Sequence, residues 1–246
     1  EALLYSGGPS SIGVQIWFSI GNNPTEFLGE TVAMVGDVDG DGLGDFAVAA
    51  RGATNNQEIE VYSGDAPAPS TTDVLSYIPL ATGGPDPIVI VPVGNVTLDE
   101  RADVFTGAPS LDFPAPTNHG RGAIQSYPVD AFTIAWEDDG TDAEQLFGSS
   151  AAVADVNGDG RTDLVVGSPG LDTGRGALDV YLRDADTGQI EDVAAARIAS
   201  TDSRGELGTI LASAGDIDGN GLDDVFASAP GADGGLGRVH LFAGAY

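Results

Sequence analysis

The chain contains no cysteine and no lysine. Without thiols there is no disulfide framework, no thiolate metal site and no cysteine nucleophile. All nine basic residues are arginine, set against 38 aspartates and glutamates, for a net charge of −29. A surface of that sign repels nucleic acid and anionic membrane, so neither is expected as a partner. The missing lysine also excludes a phosphate-binding loop, whose glycines need a lysine beside them. No run of 18 apolar residues occurs, so no helical membrane insertion is expected. There are two histidines, at 119 and 240, and no Gly-x-Ser-x-Gly nucleophile elbow. The chain opens at Glu1 without a leader pattern, which reads as a mature form or an excised piece. Helical periodicity is scarce. Its best candidate, the alanine-rich run 190–198, reads as a strand from its place in the repeat described next.

What is abundant is glycine, 36 residues of it, and aspartate in one recurring arrangement. Residues 37–45 read Asp-Val-Asp-Gly-Asp-Gly-Leu-Gly-Asp. Residues 155–163 read Asp-Val-Asn-Gly-Asp-Gly-Arg-Thr-Asp, and 216–224 read Asp-Ile-Asp-Gly-Asn-Gly-Leu-Asp-Asp. A worn copy, Asn-Val-Thr-Leu-Asp-Glu-Arg-Ala-Asp, occupies 95–103. The starts at 37, 95, 155 and 216 are about 60 residues apart, a period that signals a repeat architecture.

Oxygen-bearing residues at positions 1, 3, 5 and 9, with glycines at 4 and 6, fold a short loop around one point. Clustered carboxylates repel one another and push their pKa values upward unless a cation intervenes. Calcium suits such a site, because it takes six to eight oxygens in irregular geometry. The expected ligands are Asp37, Asp39, Asp41, the Leu43 carbonyl and Asp45 in the first loop. They are Asp155, Asn157, Asp159, the Arg161 carbonyl and Asp163 in the next intact one. In the last they are Asp216, Asp218, Asn220, the Leu222 carbonyl and Asp224. Asn95, Thr97, Asp99 and Asp103 mark a site expected to be weak or lost, since Leu98 and Glu100 replace its two glycines. About three calcium ions are expected, bringing the charge from −29 to about −23. Calcium at millimolar concentration points to a secreted or cell-surface protein. The loops differ from an EF-hand, which needs a glutamate at position 12, where these have Val48, Val166 and Ala227.

The remaining apolar residues fall in runs of four to eight bounded by Gly, Pro, Asn and Asp, the pattern of short strands. Each repeat holds four of them, with the acidic loop between the first and second. The fold expected is all-β: a single β-propeller domain over 1–246 with about four blades of four antiparallel strands. The repeat units run approximately 1–26 (partial), 27–80, 81–138, 139–199 and 200–246 (partial). The chain opens with strands of the third and fourth kind (2–6 and 14–20) and closes with one of the third kind (238–242). Two segments therefore compete for one place. A longer ring, pairing with another chain or a rearranged terminus would resolve this.

Phe147-Gly148, the loop at 155–163, Gly167-Ser-Pro169 and the run from Gly176 to Tyr181 together resemble an FG-GAP repeat. Leu28-Gly29 with Ala49-Ala-Arg51 and Leu207-Gly208 with Ser228-Ala-Pro230 are similar, and Gly107-Ala-Pro109 keeps part of the pattern. Such repeats build the propeller of integrin α-subunits and of many secreted bacterial proteins. The resemblance implies calcium in the loop between strands 1 and 2, on one rim of the ring. It also implies a non-enzymatic role in adhesion, with a protein or glycan ligand or other chains as partners. The opposite rim then carries the contact surface, with loops 110–121 and 138–146 and the candidates Phe113, His119 and Arg121. The alternative is a secreted polysaccharide lyase or hydrolase, or a phospholipid-anchor hydrolase, on a propeller scaffold. His240 reads as structural, Trp17 and Trp136 as packing on outer strands, and Arg121, Arg175 and Arg238 as donors that close loops.

Overall fold

A computed structural model describes residues 2–7, 12–19, 28–51, 57–64, 74–80, 89–110, 119–126 and 133–245. Two strands come first, β1 (Ala2–Gly7) and β2 (Ile12–Ser19), paired antiparallel. The first blade follows as β3 (Thr31–Gly36), β4 (Asp45–Arg51), β5 (Gln57–Tyr62) and β6 (Val74–Leu80), hydrogen-bonded in that order. The second is β7 (Val89–Gly94), β8 (Asp103–Ala108), β9 (Arg121–Ser126) and β10 (Thr133–Asp139). The third is β11 (Ser150–Ala154), β12 (Asp163–Ser168), β13 (Ala177–Tyr181) and β14 (Ala196–Ala199). The fourth has three strands, β15 (Leu211–Gly215), β16 (Asp224–Ala229) and β17 (Arg238–Phe242). Among the described residues every pairing of these strands within a blade is antiparallel and sequential, while the isolated bridges Gly120–Phe147 and Gly176–Leu207 between blades are parallel.

The first strands of successive blades are neighbours: β3 packs beside β7, β7 beside β11, and β11 beside β15. That places four sheets side by side about their inner edges, the arrangement of a β-propeller. Composition explains which strand goes where. The innermost strand of the third blade is Ser-Ala-Ala-Val-Ala, small enough for close approach. Second strands are covered on both faces by adjacent blades, so β8 and β12 are buried at every residue and lack two-fold alternation. A Cβ on Gly167 of β12 would collide with the carbonyl oxygen of Gly208 at the start of the fourth blade. Glycine there is a packing requirement between blades.

The core is divided among the clefts. One cluster joins Val35, Ala47 and Val61 of the first blade to Ile90 and Val104 of the second. Another joins Phe105, Ile124 and Trp136 to Phe147, Leu164 and Tyr181. A third joins Val165 and Leu178 to Leu211, Val225 and Ala227.

Two expectations need adjustment. The run 190–198 is a strand only over Ala196–Ala199, with Ile190 in an isolated bridge to Arg183. The cause is a turn at 184–189, where Asp184 accepts hydrogen bonds from the backbone of Asp186 and Thr187 and draws the chain off the sheet. The competition between 2–6 and 238–242 does not arise, because β1 and β2 form a separate two-stranded sheet while β17 completes β15–β16. Among the described residues no helix is long and apolar enough to cross a membrane.

Candidate metal centres and the rim they share

Each acidic loop links the first strand of a blade to the second, so all four lie on one rim. In loop 37–45, Asp37 accepts the N–H of Gly40 on Oδ1 at 2.7 Å and that of Gly42 on Oδ2 at 2.8 Å. Both glycines sit at positive φ, 84° and 88°, which lets the backbone curl around the carboxylate. Asp39 and Asp41 each accept the N–H two residues on. Loop 155–163 repeats this wiring from Asp155 to Gly158 and Gly160, with Asn157 and Asp159 in the same roles. Loop 216–224 does so from Asp216 to Gly219 and Gly221, with Asp218 and Asn220.

Position 9 anchors the loop. Asp45 is fully buried and accepts from Val38 N–H at the loop's start and Gly64 N–H at the end of β5, both at 2.8 Å. Asp163 accepts likewise from Val156 and Arg183, and Asp224 from Ile217 and Gly244. One carboxylate oxygen each from Asp37, Asp39 and Asp45 lies within 4.8 Å of the others, and the same holds for Asp216, Asp218 and Asp224. Asp41 falls outside the first group. Its Oδ1 accepts Leu43 N–H at 2.7 Å. In loop 155–163 the third position offers an amide oxygen, and Arg161 Nη1 stands 3.6 Å from Asp159 Oδ2.

Electrostatics distinguish these anchors. Burial pushes the Asp45 carboxyl up to about 6, against the lowering effect of the Gly64 and Val38 N–H groups and with help from the Asp39 charge. Burial pushes Asp163 up to about 6 as well, opposed by the Arg183 and Val156 N–H groups and reinforced by Asp159 and Asp155. Asp103 is raised for the same first reason. At Asp224 burial raises the pKa, but the N–H groups of Ile217, Gly244 and Asp218 outweigh it and leave the carboxyl below its ordinary value. An all-oxygen donor set around carboxylates that are costly to ionise fits a hard divalent cation, and calcium before magnesium, given the irregular loop.

The worn loop keeps the conformation without the glycines. Leu98 and Glu100 adopt φ of 63° and 72°, at the positions where the other loops have glycine. Thr97 donates its hydroxyl to Asp103 at 3.1 Å, and Asp99 accepts from Arg101 N–H and the Ser126 hydroxyl. The loss of flexibility expected from the sequence is therefore a local backbone cost, and the loop's shape survives. Arg183, missed from the sequence, accounts for part of this. Its guanidinium is buried, donating from Nε to Gly188 and from Nη2 to the Asn95 carbonyl at 2.9 Å. The available signal was positional: Arg183 stands where the other repeats have Gly64 and Gly244, each donating its N–H to the loop's last aspartate.

On the opposite rim, Phe113 lies outside the described residues. The His119 carbonyl accepts Phe147 N–H at 3.0 Å. Arg121 is clasped by Asp139 of the neighbouring strand, with Nε at 2.6 Å and Nη2 at 3.0 Å, and by Glu137 at 3.4 Å. Arg175 pairs with Asp172 and Arg238 with Asp233 and Asp202, so these arginines do close loops. His240 is half-buried and stacks on Phe242 at 5.6 Å. Trp136 is buried on its outer strand, whereas Trp17 is described only in its backbone.

The FG-GAP repeat family matches residues 29–62, 147–181 and 207–242, the spans that carry the three intact loops. Integrin alpha-4 of Xenopus laevis is 32% identical over 156 residues, 63% of this chain and 14% of that protein. Human integrin alpha-IIb is 33% identical over 114 residues, 43% of this chain and 11% of that protein. The mouse phosphatidylinositol-glycan-specific phospholipase D is 30% identical over 191 residues, 73% of this chain and 22% of that protein. The chain thus spans less than a quarter of each relative's length. Among solved structures, a Bacillus licheniformis rhamnogalacturonan lyase superposes with a TM-score of 0.52 at 16% identity, over 82% of this chain and 40% of that one. At that identity the likeness concerns the fold alone. Repeat match and sheet order agree: the chain carries FG-GAP repeats in its first, third and fourth blades, folds as a β-propeller, and is similar to integrin α chains over part of its length.

Proposed function

We propose that this chain is an extracellular, calcium-stabilised propeller module that binds a protein or glycan partner and catalyses nothing itself. The observation that carries the reading is the convergence of three aspartate oxygens within 4.8 Å in each of two loops. A third loop repeats the wiring with an asparagine. Calcium bound there rigidifies one rim, in the way that ligand binding to the folded state alone stabilises any protein. The opposite rim, including loops 110–121 and 138–146, is left to present the contact surface. The integrin α chains similar to this one support the adhesive role. Pairing with other chains along open blade edges is the other form of partner the fold accommodates.

A second reading draws on the phospholipase D similarity: a propeller carried beside, or forming part of, a secreted hydrolase or lyase. Acids committed to calcium are poor proton donors, because the cation holds them ionised. That favours the non-enzymatic reading for this stretch of chain.

The test is a thermal melt in excess calcium and in chelator at equal ionic strength, with calorimetric counting of ions. The expected result is a large rise with calcium, about three ions bound, and loss of most of the rise in Asp155→Ala with Asp216→Ala. Equal melts in both buffers would overturn the calcium assignment.

A further inference from the structure

Asparagine followed by glycine occurs twice in the chain, as Asn157-Gly158 and Asn220-Gly221, and both pairs lie in acidic loops of the rim. Residues 155–160 differ from residues 37–42 at this first asparagine alone, where loop 37–45 has Asp39. Such a pair carries chemistry of its own. The glycine nitrogen and the asparagine Cγ close a small ring when they join, and no Cβ on the glycine crowds the approach.

The fold holds the groups that this reaction needs at Asn157. Its Oδ1 accepts the Asp159 N–H at 2.9 Å, a donor shared with Asp155 Oδ1 at 3.1 Å. The first of these bonds closes an Asx turn, a ring that contains both Cγ of Asn157 and the nitrogen of Gly158. It also polarises the side-chain carbonyl and stabilises the oxyanion that attack would form there. Gly158 N–H donates to Asp155 Oδ1 at 2.8 Å, so the nucleophile's proton already has an acceptor. Asn157 Nδ2, the leaving nitrogen, donates to no protein atom among the described residues. Gly158 is exposed at a φ of 78°, open to water.

Loop 216–224 shares part of this. Asn220 Oδ1 accepts the Leu222 N–H at 2.8 Å, and Gly221 N–H donates to Asp216 Oδ2 at 2.9 Å. The difference lies at the leaving nitrogen. Asn220 Nδ2 donates to Asp218 Oδ2 at 3.2 Å and to the Gly244 carbonyl at 3.4 Å. Those bonds fix the amide plane and must loosen before the nitrogen departs.

We propose that Asn157 is a self-modifying residue, deamidated by the backbone of its own loop. The Gly158 nitrogen attacks Cγ of Asn157, an N–C bond forms, and the Cγ–Nδ2 bond breaks. The Gly158 proton ends on the departing nitrogen, which leaves as ammonia, and a cyclic imide remains. Water then opens the imide, and the balance needs nothing else. Cleavage at Cγ restores the normal backbone with an aspartate side chain. Cleavage at the other carbonyl leaves an isoaspartate, whose backbone runs through the side chain and disrupts the turn. The first product makes residues 155–160 identical to residues 37–42, with a carboxylate where the calcium reading has an amide ligand. The affinity of this loop for calcium therefore changes as the molecule ages. Only that consequence rests on the calcium reading; the reaction itself does not.

The experiment stores the full chain at neutral pH in chelator and samples it over weeks. Cleavage at arginine puts the two sites on separate fragments, 122–161 and 205–238, with one asparagine in each. Mass spectrometry reads the exchange of NH2 for OH, and an isoaspartate assay reads the rearranged product. Fragment 122–161 should convert about tenfold faster than fragment 205–238. In urea, with the hydrogen bonds gone, the two should convert at similar rates. Asn157→Gln should leave fragment 122–161 unchanged, which separates Asn157 from the glutamines on that fragment. No conversion at residue 157 in the folded chain, equal rates at the two sites, or a ratio that persists in urea would overturn the proposal. Conversion at Asn157 in a protein whose melt ignores calcium would remove the metal reading and leave this one standing.

Discussion

Without a cation, the chain should lose stability as pH rises from about 4 to about 6.5, and calcium should restore it. Asp45 and Asp163 are pushed from 3.8 up to about 6 by burial. Between those values the folded carboxyl keeps a proton that the unfolded one has lost. The stabilisation is whole below the unfolded pKa and is lost as pH rises through the folded one. At about 1.4 kcal/mol per pKa unit the ceiling is about 3 kcal/mol for each group. The rim faces solvent, and halving for screening leaves about 3 kcal/mol for the pair. For a domain of this size that corresponds to a fall of roughly 6–12 °C in melting temperature. Calcium binds the ionised carboxylates, so its stabilising shift should be small near pH 5 and large near pH 7. Relief of general charge repulsion at low pH has the same sign, so the discriminating variants are Asp45→Asn and Asp163→Asn. They should flatten the chelator profile and remove most of the calcium response. Asp224, held below its ordinary value, acts with the opposite sign and only under more acidic conditions. Scanning calorimetry across this range, with calcium and with chelator, reads all of it. A chelator profile that climbs from pH 4.5 to 6.5, or a calcium shift equal at pH 5 and 7, would refute the reasoning.

Three further outcomes follow from packing. Asp179 is fully buried and held by Arg197 at 2.6 and 3.1 Å. Arg197→Met, discounted for the half-exposed guanidinium, should cost about 2–3 kcal/mol in a urea melt at neutral pH, and a loss below about 1 would show that the pair is not what tolerates the buried charge. Trp136→Ala should cost about 3–5 kcal/mol by emptying the cleft between the second and third blades; unchanged stability would contradict the packing described. In the worn loop, Leu98→Gly and Glu100→Gly should each relieve roughly 1 kcal/mol of left-handed strain, offset in part by lost packing. Adding Asn95→Asp and Thr97→Asp should raise calorimetric calcium stoichiometry by one; an unchanged count would mean that the rim at this loop is closed to metal.

The all-β class, the repeat and the loop wiring were legible because each is set by local chemistry. Asp37 and Gly40 stand only three positions apart, which fixes the turn locally, and β8, β12 and β16 each end just before a proline. What was not legible lies between repeats. Trp136 and Ala196 look like unrelated residues until the register aligns them. The run 190–198 is apolar enough for a strand, yet the Asp184 turn before it decides otherwise.

Arg183 is the clearest instance, and it bears on why one loop could drift from its pattern. At two blade boundaries the carbonyl of the loop's first residue accepts a backbone N–H from the next loop: Ala102 to Asp37 at 2.7 Å and Asp223 to Asp155 at 2.9 Å. At the boundary between the second and third blades, the Asn95 carbonyl accepts from the Arg183 guanidinium instead. That cation is covalently part of the protein and feels the charges of Asp103, Asp159 and Asp163, while burial lowers its pKa. A fixed positive charge joins loop 95–103 to the third blade, the structural role proposed for calcium at the other loops. With it in place, loop 95–103 holds its shape although asparagine, threonine and a left-handed leucine stand where loop 37–45 has two aspartates and a glycine. Arg183→Met should therefore destabilise the chain similarly in calcium and in chelator, by about 3 kcal/mol in a urea melt. A loss that calcium repairs would show that loop 95–103 had kept its metal site and that the arginine is incidental.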